Sequence, residues 1–186
     1  MKRASDHFSQ VAPEYASWRP RYPEALFDYL ASLVQRRALA WDCAAGSGQA
    51  TIPLASRFER VVATDISVAM LGQASPNPRV EYYAATAEAS GLPDRTVDLV
   101  TVAQGLHWLD VDAFYAEVHR VLAPGGVLAV WTYGLQQLGD PGLDHELGGS
   151  TTKWWVPIGY PSGATSKPAI ARCRFPLRSS IHLASS

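Results

Sequence analysis

Residues 41–51, WDCAAGSGQAT, contain the pattern that decides the predicted fold. A buried strand is expected to end at Asp42, after which the chain passes through Gly46 and Gly48 into a helix. Glycine lets the backbone approach a ligand closely, and free N–H groups at a helix start can point at that ligand. The pattern predicts a ligand-binding loop between strand and helix, with a tight turn that binds nothing as the alternative.

Short apolar runs alternate with helical patterns on both sides of this loop. Strands are predicted at residues 39–42, 60–65, 80–84, 97–103 and 127–132. Helices are predicted at residues 23–35, 49–58, 67–73 and 112–122. Such alternation implies right-handed crossovers. The predicted fold class is therefore α/β, a Rossmann-like parallel sheet of five recognisable strands with helices on both faces.

The glycine pair alone does not identify the ligand, because nicotinamide, flavin and S-adenosylmethionine enzymes all use such a loop. A dinucleotide fold would carry a third glycine where this chain has Thr51, which argues against a nicotinamide dehydrogenase. Asp65 ends the second strand, where a carboxylate can accept hydrogen bonds from both hydroxyls of a ribose. Capping of the helix that starts near Ser67 is the alternative role for Asp65.

Four ordered stretches carry a resemblance to a known family. They are WDCAAGSGQAT (41–51), VVATDIS (61–67), AATAEASGLPDRTVDLVTVAQGLHW (84–108) and VHRVLAPGGVLAVW (118–131). They resemble the motifs of class I S-adenosylmethionine-dependent methyltransferases (methyltransferase type 11), in the branch of trans-aconitate methyltransferase-like proteins. The opening, residues 8–30, is also similar to that branch, and the resemblance extends to about Leu147. It implies S-adenosylmethionine as the cofactor and methyl transfer as the activity.

The resemblance also implies which residues bind the methionine and ribose parts of the cofactor. The loop around the methionine part would consist of Asp42, Ala44, Gly46 and Gly48. Asp65 would hold the ribose. The family often has glycine in place of Ala44, and alanine adds only a methyl group.

Five further positions are assigned by the same resemblance. Ile66 and Met70 would pack near the adenine, and Ala87 with Glu88 would border the edge of its ring. Gln104, at the end of the fourth strand, would lie close to the carboxypropyl or sulfonium region.

An aromatic and basic segment precedes the first helix and contains Tyr15, Trp18, Arg19, Arg21 and Tyr22. In the resembling family this segment folds over the cofactor as a lid, and an arginine there could clamp a carboxylate. The alternative is that these aromatic residues only cover the edge of the sheet.

His107 and Trp108 follow the fourth strand, on the side where α/β sheets bind ligands. His107 is the one candidate for a catalytic base, with a structural histidine as the alternative. A carboxylate acceptor is already ionised at neutral pH and needs no base, whereas a hydroxyl or carbon acceptor needs one. We therefore predict no obligatory catalytic residue.

Composition restricts the partners. The longest apolar runs have only strand length, so we expect a cytoplasmic protein without a membrane partner. Two cysteines are too few for a disulfide framework or a cysteine zinc site, and no metal is expected. All 17 acidic residues lie at or before Glu146, and no base-flipping motif occurs. A small-molecule acceptor, possibly a carboxylate, is thus favoured over nucleic acid, and the oligomeric state stays open.

The predicted organisation is a methyltransferase domain at residues 1–147, with the lid segment at 8–37, and an irregular basic tail at 148–186 that is disordered or out of frame. The resembling family adds two antiparallel strands after the fifth, and nothing after Gly149 alternates in a way that predicts them. Codons chosen for Gly148 onward and read two nucleotides along can encode a family-like continuation. We therefore expect a frameshifted or truncated C-terminus without the last strand pair, and a noncatalytic or inactivated cofactor-binding protein is the alternative function.

Overall fold

The computed structural model describes residues 22–131 and the backbone of two later strands. The strands are β1 (Leu39–Cys43), β2 (Arg60–Asp65), β3 (Val80–Ala84), β4 (Val97–Ala103), β5 (Leu122–Trp131), β6 (Trp154–Pro157) and β7 (Ile170–Cys173). The helices of the described residues are α1 (Glu24–Ser32), α2 (Thr51–Ala55), α3 (Val68–Leu71) and α4 (Val111–Val121), with a 3₁₀ turn at Leu106–Trp108.

The strands form one sheet in the order β3-β2-β1-β4-β5-β6-β7. The first five are parallel, which confirms the predicted Rossmann-like sheet. The strand order reverses between β1 and β4. From β1 the chain adds β2 and β3 on one side, and it then returns to the other side of β1 to add β4 and β5. Ligands of open α/β sheets bind at the carboxyl ends of the strands beside such a reversal.

The absence of the last strand pair was wrongly predicted. β6 runs antiparallel to β5, and β7 runs antiparallel to β6. Both strands have four residues, and within the described part of the chain β6 pairs with β5 at Val130 and Trp131. Runs this short show too little alternation to be recognised in a sequence, yet they still supply partners for the backbone groups of β5. The rest of the predicted tail lies outside the described residues, and the frameshift near Gly148 stays a prediction.

The core lies in two layers, one on each face of the sheet. Neighbouring residues of a strand point to opposite faces, so Val61 and Val62 of β2 belong to different apolar clusters. Leu26 of α1 and Leu54 of α2 are buried in the first cluster, and Phe114 of α4 is buried in the second. Helices therefore cover both faces. No helix of the described residues is both long enough and apolar enough to cross a bilayer.

A buried carboxylate fixes the loop that follows β3. Glu117 of α4 accepts hydrogen bonds from the backbone N–H of Ser90 at 2.8 Å and from its hydroxyl at 2.5 Å. Arg120, one turn further along α4, donates to the same carboxylate at 2.7 and 2.8 Å. These donors, Arg120 first, lower the pKa of Glu117 to about 2. The loop that contains Ala87 and Glu88 is thereby tied to α4.

Candidate cofactor site

The glycine loop lies at the carboxyl end of β1, next to the carboxyl end of β4. Left-handed backbone occurs on both sides of this junction, with φ of 55° at Ala44, 57° at Gly46, 81° at Gly48 and 61° at Gln104. Such conformations cost a non-glycine residue about 1 kcal/mol and collect at functional sites. Two of the three non-glycine residues with a positive φ in the described chain, Ala44 and Gln104, therefore lie at the junction between β1 and β4, while the third, Arg95, lies in the turn before β4.

Both glycines of the loop have a positive φ, and Gly48 is also required by its surroundings, whereas a Cβ atom on Gly46 would make only an ordinary contact. A Cβ atom on Gly48 would lie 3.2 Å from the Cβ of Ala74 and 3.2 Å from the hydroxyl of Tyr82. A Cβ atom on Gly46 would lie 3.5 Å from the Cε of Met70. The loop is therefore packed from behind, and the absence of side chains leaves its backbone open to a ligand.

Ala44, where the family often has glycine, lies beside Gly105. The space between the two residues holds only one methyl group. A Cβ atom built on Gly105 would lie only 2.8 Å from the Cβ of Ala44. Gly105 has an ordinary φ of -108°, so its backbone does not require glycine. The missing side chain at position 105 is what makes room for Ala44.

This arrangement predicts that substitutions at the two positions are coupled. Gly105→Ala is expected to lower the free energy of unfolding by about 1–3 kcal/mol, because the two methyl groups collide. Ala44→Gly in the same chain is expected to recover most of that loss. Urea denaturation of the two single variants and the double variant measures the coupling, and strictly additive costs would contradict the pairing.

Asp65 is held by the backbone on both sides of it. The N–H of Gly46 donates to its Oδ2 at 2.9 Å, and the N–H of Ser67 donates to its Oδ1 at 2.8 Å. A carboxylate has about four acceptor positions, so two remain for the hydroxyls of a ribose. The predicted capping role belongs to Ser67 instead, whose hydroxyl accepts from the N–H of Met70 at the start of α3. The geometry thus leaves Asp65 available for the predicted ribose contact.

Asp42 lies differently from the way the resemblance implied. Its side chain is fully buried behind the loop, where it accepts hydrogen bonds from Thr51 at 2.6 Å and from Thr101 at 2.9 Å. Burial raises the pKa of this carboxyl to about 6, and the two hydroxyls oppose the rise. Both oxygens are engaged inside the protein, so direct contact with the cofactor stays a prediction that the geometry does not favour.

The predicted adenine side lies around the ends of β2 and β3. Ile66 is 45% exposed, although it is a large apolar residue, and Met70 and Ala87 are buried. Glu88 accepts a hydrogen bond from the backbone N–H of Asp110 at 3.1 Å, which joins the loop after β3 to the start of α4. An exposed apolar side chain beside the ribose candidate is suited to cover a planar ring.

The predicted acceptor side lies after β4. His107 and the 49% exposed Trp108 stand on the 3₁₀ turn with their ring centroids 4.8 Å apart. The backbone N–H of Gln104 donates to the carbonyl of Trp131 at 2.9 Å, which ties this turn to β5. The structure therefore brings His107 and Trp108 together at the carboxyl edge of the sheet.

Tyr22, the one lid residue within the described part of the chain, is buried. Its ring packs edge-on against Trp131 at 5.5 Å and against Phe27 at 6.3 Å. This packing favours the alternative in which the segment covers the sheet. The other predicted lid residues lie outside the described residues: Tyr15, Trp18, Arg19 and Arg21.

Gln49 was missed by the sequence analysis. Its Oε1 atom is buried and has no hydrogen-bond partner among the described residues. A polar residue between Gly48 and the helix was the only available signal, and burial cannot be read from it. The residues present fit S-adenosylmethionine: Asp65 has free acceptor positions, Ile66 offers an apolar surface, and the loop backbone is open to close approach.

Comparisons with known proteins show which family the chain resembles. Residues 41–130 match the family described as a methyltransferase domain. A Dictyostelium discoideum protein named as a methyltransferase is 39% identical over 134 residues, which cover 72% of this chain and 51% of that protein. The chain thus spans about half the length of that curated relative.

Solved structures of methyltransferases have a similar fold. A type II methyltransferase structure from Anaeromyxobacter dehalogenans has a TM-score of 0.64 at 49% identity, covering 69% of this chain and 54% of that one. The phosphoethanolamine N-methyltransferase of Haemonchus contortus, solved with S-adenosylhomocysteine, has a TM-score of 0.56 over 70% of this chain and 31% of its own. At 20% identity, this second likeness shows the fold alone. The family and cofactor predicted from the sequence are thereby confirmed: the chain belongs to the class I methyltransferases that use S-adenosylmethionine as methyl donor.

Proposed function

We propose that this chain transfers the methyl group of S-adenosylmethionine to a small-molecule acceptor, with a carboxylate as the first candidate. The observation that carries the proposal is Asp65, whose carboxylate is fixed by the N–H groups of Gly46 and Ser67 beside the open glycine loop. A small acceptor is favoured over nucleic acid because the 17 acidic residues all lie in the body of the chain.

Several residues would hold the donor. Asp65 would accept the ribose hydroxyls, Ile66 would cover the adenine, and the backbone at Gly46 and Gly48 would approach the methionine part. When bound, S-adenosylmethionine supplies a methyl group on a sulfonium, which an acceptor displaces in line. The side chains around Gln104 would then orient the acceptor and exclude water, and such positioning supplies much of the rate of a displacement.

The role of His107 depends on the acceptor. A carboxylate acceptor is already ionised at neutral pH, so no proton has to be removed by the protein. A hydroxyl acceptor would need a base, and the exposed His107 at the carboxyl edge is the group available for it. We propose the carboxylate reaction, in which His107 only lines the site.

Transfer of a labelled methyl group tests this function. The purified chain is incubated with S-adenosylmethionine labelled in the methyl group and with parallel sets of carboxylates, amines and alcohols. We expect label in a base-labile methyl ester, and a His107→Gln variant with a rate within about twofold of the unaltered chain. A tenfold or larger loss in His107→Gln, or transfer only to an amine or alcohol, would contradict the carboxylate proposal.

The second candidate is a cofactor-binding protein without transferase activity. It is favoured by the short contact between β5 and β6, which comprises two paired positions among the described residues. Saturable binding of S-adenosylmethionine without transfer to any acceptor class would support this candidate over the first.

A further inference from the structure

Three polar side chains are buried directly behind the glycine loop. Asp42 on β1, Thr101 on β4 and Thr51 at the start of α2 are each 0% exposed. Asp42 and Thr101 are paired in register, and Thr51 donates to the other oxygen of the same carboxylate. One side chain therefore joins two strands and the helix that follows the loop.

A carboxylate at this place is costly. Moving an ionised group out of water is unfavourable unless hydrogen bonds replace the water, and here each oxygen has one hydroxyl donor from the described residues. Among the described residues, the titratable groups coupled to Asp42 are Asp65 at the end of β2, whose charge opposes its ionisation, Tyr82 on β3 and the neighbouring Cys43. None of the three offers a compensating positive charge. An apolar side chain of similar size would fill this space without the cost of burying a carboxylate. Packing alone therefore does not explain the polar cluster.

The cluster reaches the loop through Thr51. A Cβ atom on Gly48 would lie 3.6 Å from the Thr51 hydroxyl and 3.2 Å from the Tyr82 hydroxyl. The backbone N–H of Ile52, the next residue, donates to the carbonyl of Gly48 at 3.4 Å. Thr51 thus lies directly behind Gly48, whereas Asp65 holds the loop at Gly46 from the other end.

Thr101 has no such connection. It lies within β4, and its hydroxyl contacts Asp42 and the carbonyl of Trp41. Thr51 and Thr101 therefore satisfy the same carboxylate from two sides, but only Thr51 adjoins the loop. Comparing variants of the two threonines therefore distinguishes a cluster that positions the glycine loop from one that only stabilises the sheet.

We infer that Asp42 is a positioning residue for the cofactor site, which fixes the glycine loop through the Thr51 hydroxyl and does not itself contact the cofactor. The inference rests on the proposed binding of S-adenosylmethionine and deepens it. Thr51 stands where dinucleotide folds have a third glycine, and its hydroxyl holds the loop in position from behind.

Matched substitutions at the two threonines test the inference by calorimetric titration with S-adenosylmethionine. Thr51→Val keeps the shape and loses the hydroxyl, and it is expected to weaken the affinity about tenfold, the usual order for losing one hydrogen bond to a charged group. Thr51→Ser restores the hydroxyl and is expected to bind within about twofold of the unaltered chain. Thr101→Val loses its own bond to Asp42 and is expected to bind within about threefold.

Two results would overturn the inference. Equal affinity loss in Thr51→Val and Thr101→Val would reduce the cluster to a stabilising element of the sheet. Full loss of binding in Asp42→Asn, together with unchanged binding in Thr51→Val, would make Asp42 a direct ligand. The Asn variant keeps the shape and can still bond both hydroxyls, so we expect it to bind within about tenfold.

A second readout separates this inference from the proposed function. In the ligand-free protein, the amide of Ile52 is expected to exchange with solvent about tenfold faster in Thr51→Val than in Thr101→Val. If the unaltered chain does not bind S-adenosylmethionine, the proposed function fails while the exchange rates still test the loop. Equal exchange rates in the two variants would reject the positioning role even where the unaltered chain binds.

Discussion

The Gly46→Arg variant is expected to bind S-adenosylmethionine at least 100-fold more weakly than the unaltered chain, which corresponds to about 3 kcal/mol. Gly46 has a φ of +57°, and its Cβ would start 3.5 Å from the Cε of Met70. The long arginine side chain would crowd Met70, which is predicted to pack near the adenine of the cofactor. It also strains the backbone whose N–H donates to Asp65. Calorimetric titration measures the loss.

Gly91→Arg is the matched control for this variant. Gly91 has a φ of +74°, so it carries a similar backbone penalty, but no atom lies within 4 Å of a Cβ built there. Both variants are expected to lose a similar amount of stability, about 1 kcal/mol, and only Gly46→Arg is expected to lose binding. Equal loss of affinity in both variants would show that general destabilisation accounts for the effect.

Replacement of Asp65 by alanine is expected to weaken binding by about 100-fold. The carboxylate is predicted to accept hydrogen bonds from the ribose hydroxyls, and each bond to a charged group contributes about 1.5–3 kcal/mol. The change also frees the N–H groups of Gly46 and Ser67, so both flanks of the loop lose an anchor. Titration with S-adenosylmethionine measures the affinity, and urea denaturation reports the cost to the fold.

Two further variants test whether a loss of affinity in Asp65→Ala comes from the missing carboxylate at this position. Asp28→Ala removes an exposed carboxylate that pairs with the largely buried Arg57, which keeps its second partner Glu24, and it is expected to leave binding unchanged. Asp65→Asn keeps one acceptor oxygen and is expected to bind with intermediate affinity. Unchanged binding in Asp65→Ala would remove Asp65 from the site and with it the main support for the proposed geometry.

The sheet could be predicted because β1, β2 and β4 are buried along most of their length. β2 and β4 have the predicted bounds, since continuous apolar or β-branched runs ended by turn residues leave little choice of where a strand begins and ends. β3 also has the predicted bounds, although it lies at the edge of the sheet and its residues are half-buried or exposed. Three of the four helices were predicted longer than they are, and α4 has its predicted length with a shift of one residue. The predicted helix at residues 49–58 begins only at Thr51, because the glycine loop with its left-handed residues extends to that point.

The site was predictable only in part. Asp42 and Asp65 both occur at the end of a strand, and the sequence predicts that both contact the cofactor. Their difference depends on partners distant in the sequence, Thr101 for the first and Gly46 for the second. The pairing of Ala44 with Gly105 likewise appears only when β1 and β4 lie side by side.

The most direct test of the central claim is a calorimetric titration of the purified chain with S-adenosylmethionine, with a nicotinamide dinucleotide titrated in parallel. The account predicts saturable binding of S-adenosylmethionine, one molecule per chain, and no heat from the dinucleotide, since Thr51 stands where a third glycine would be needed. Binding of the dinucleotide alone, or no heat from S-adenosylmethionine in a sample that unfolds cooperatively, would contradict it.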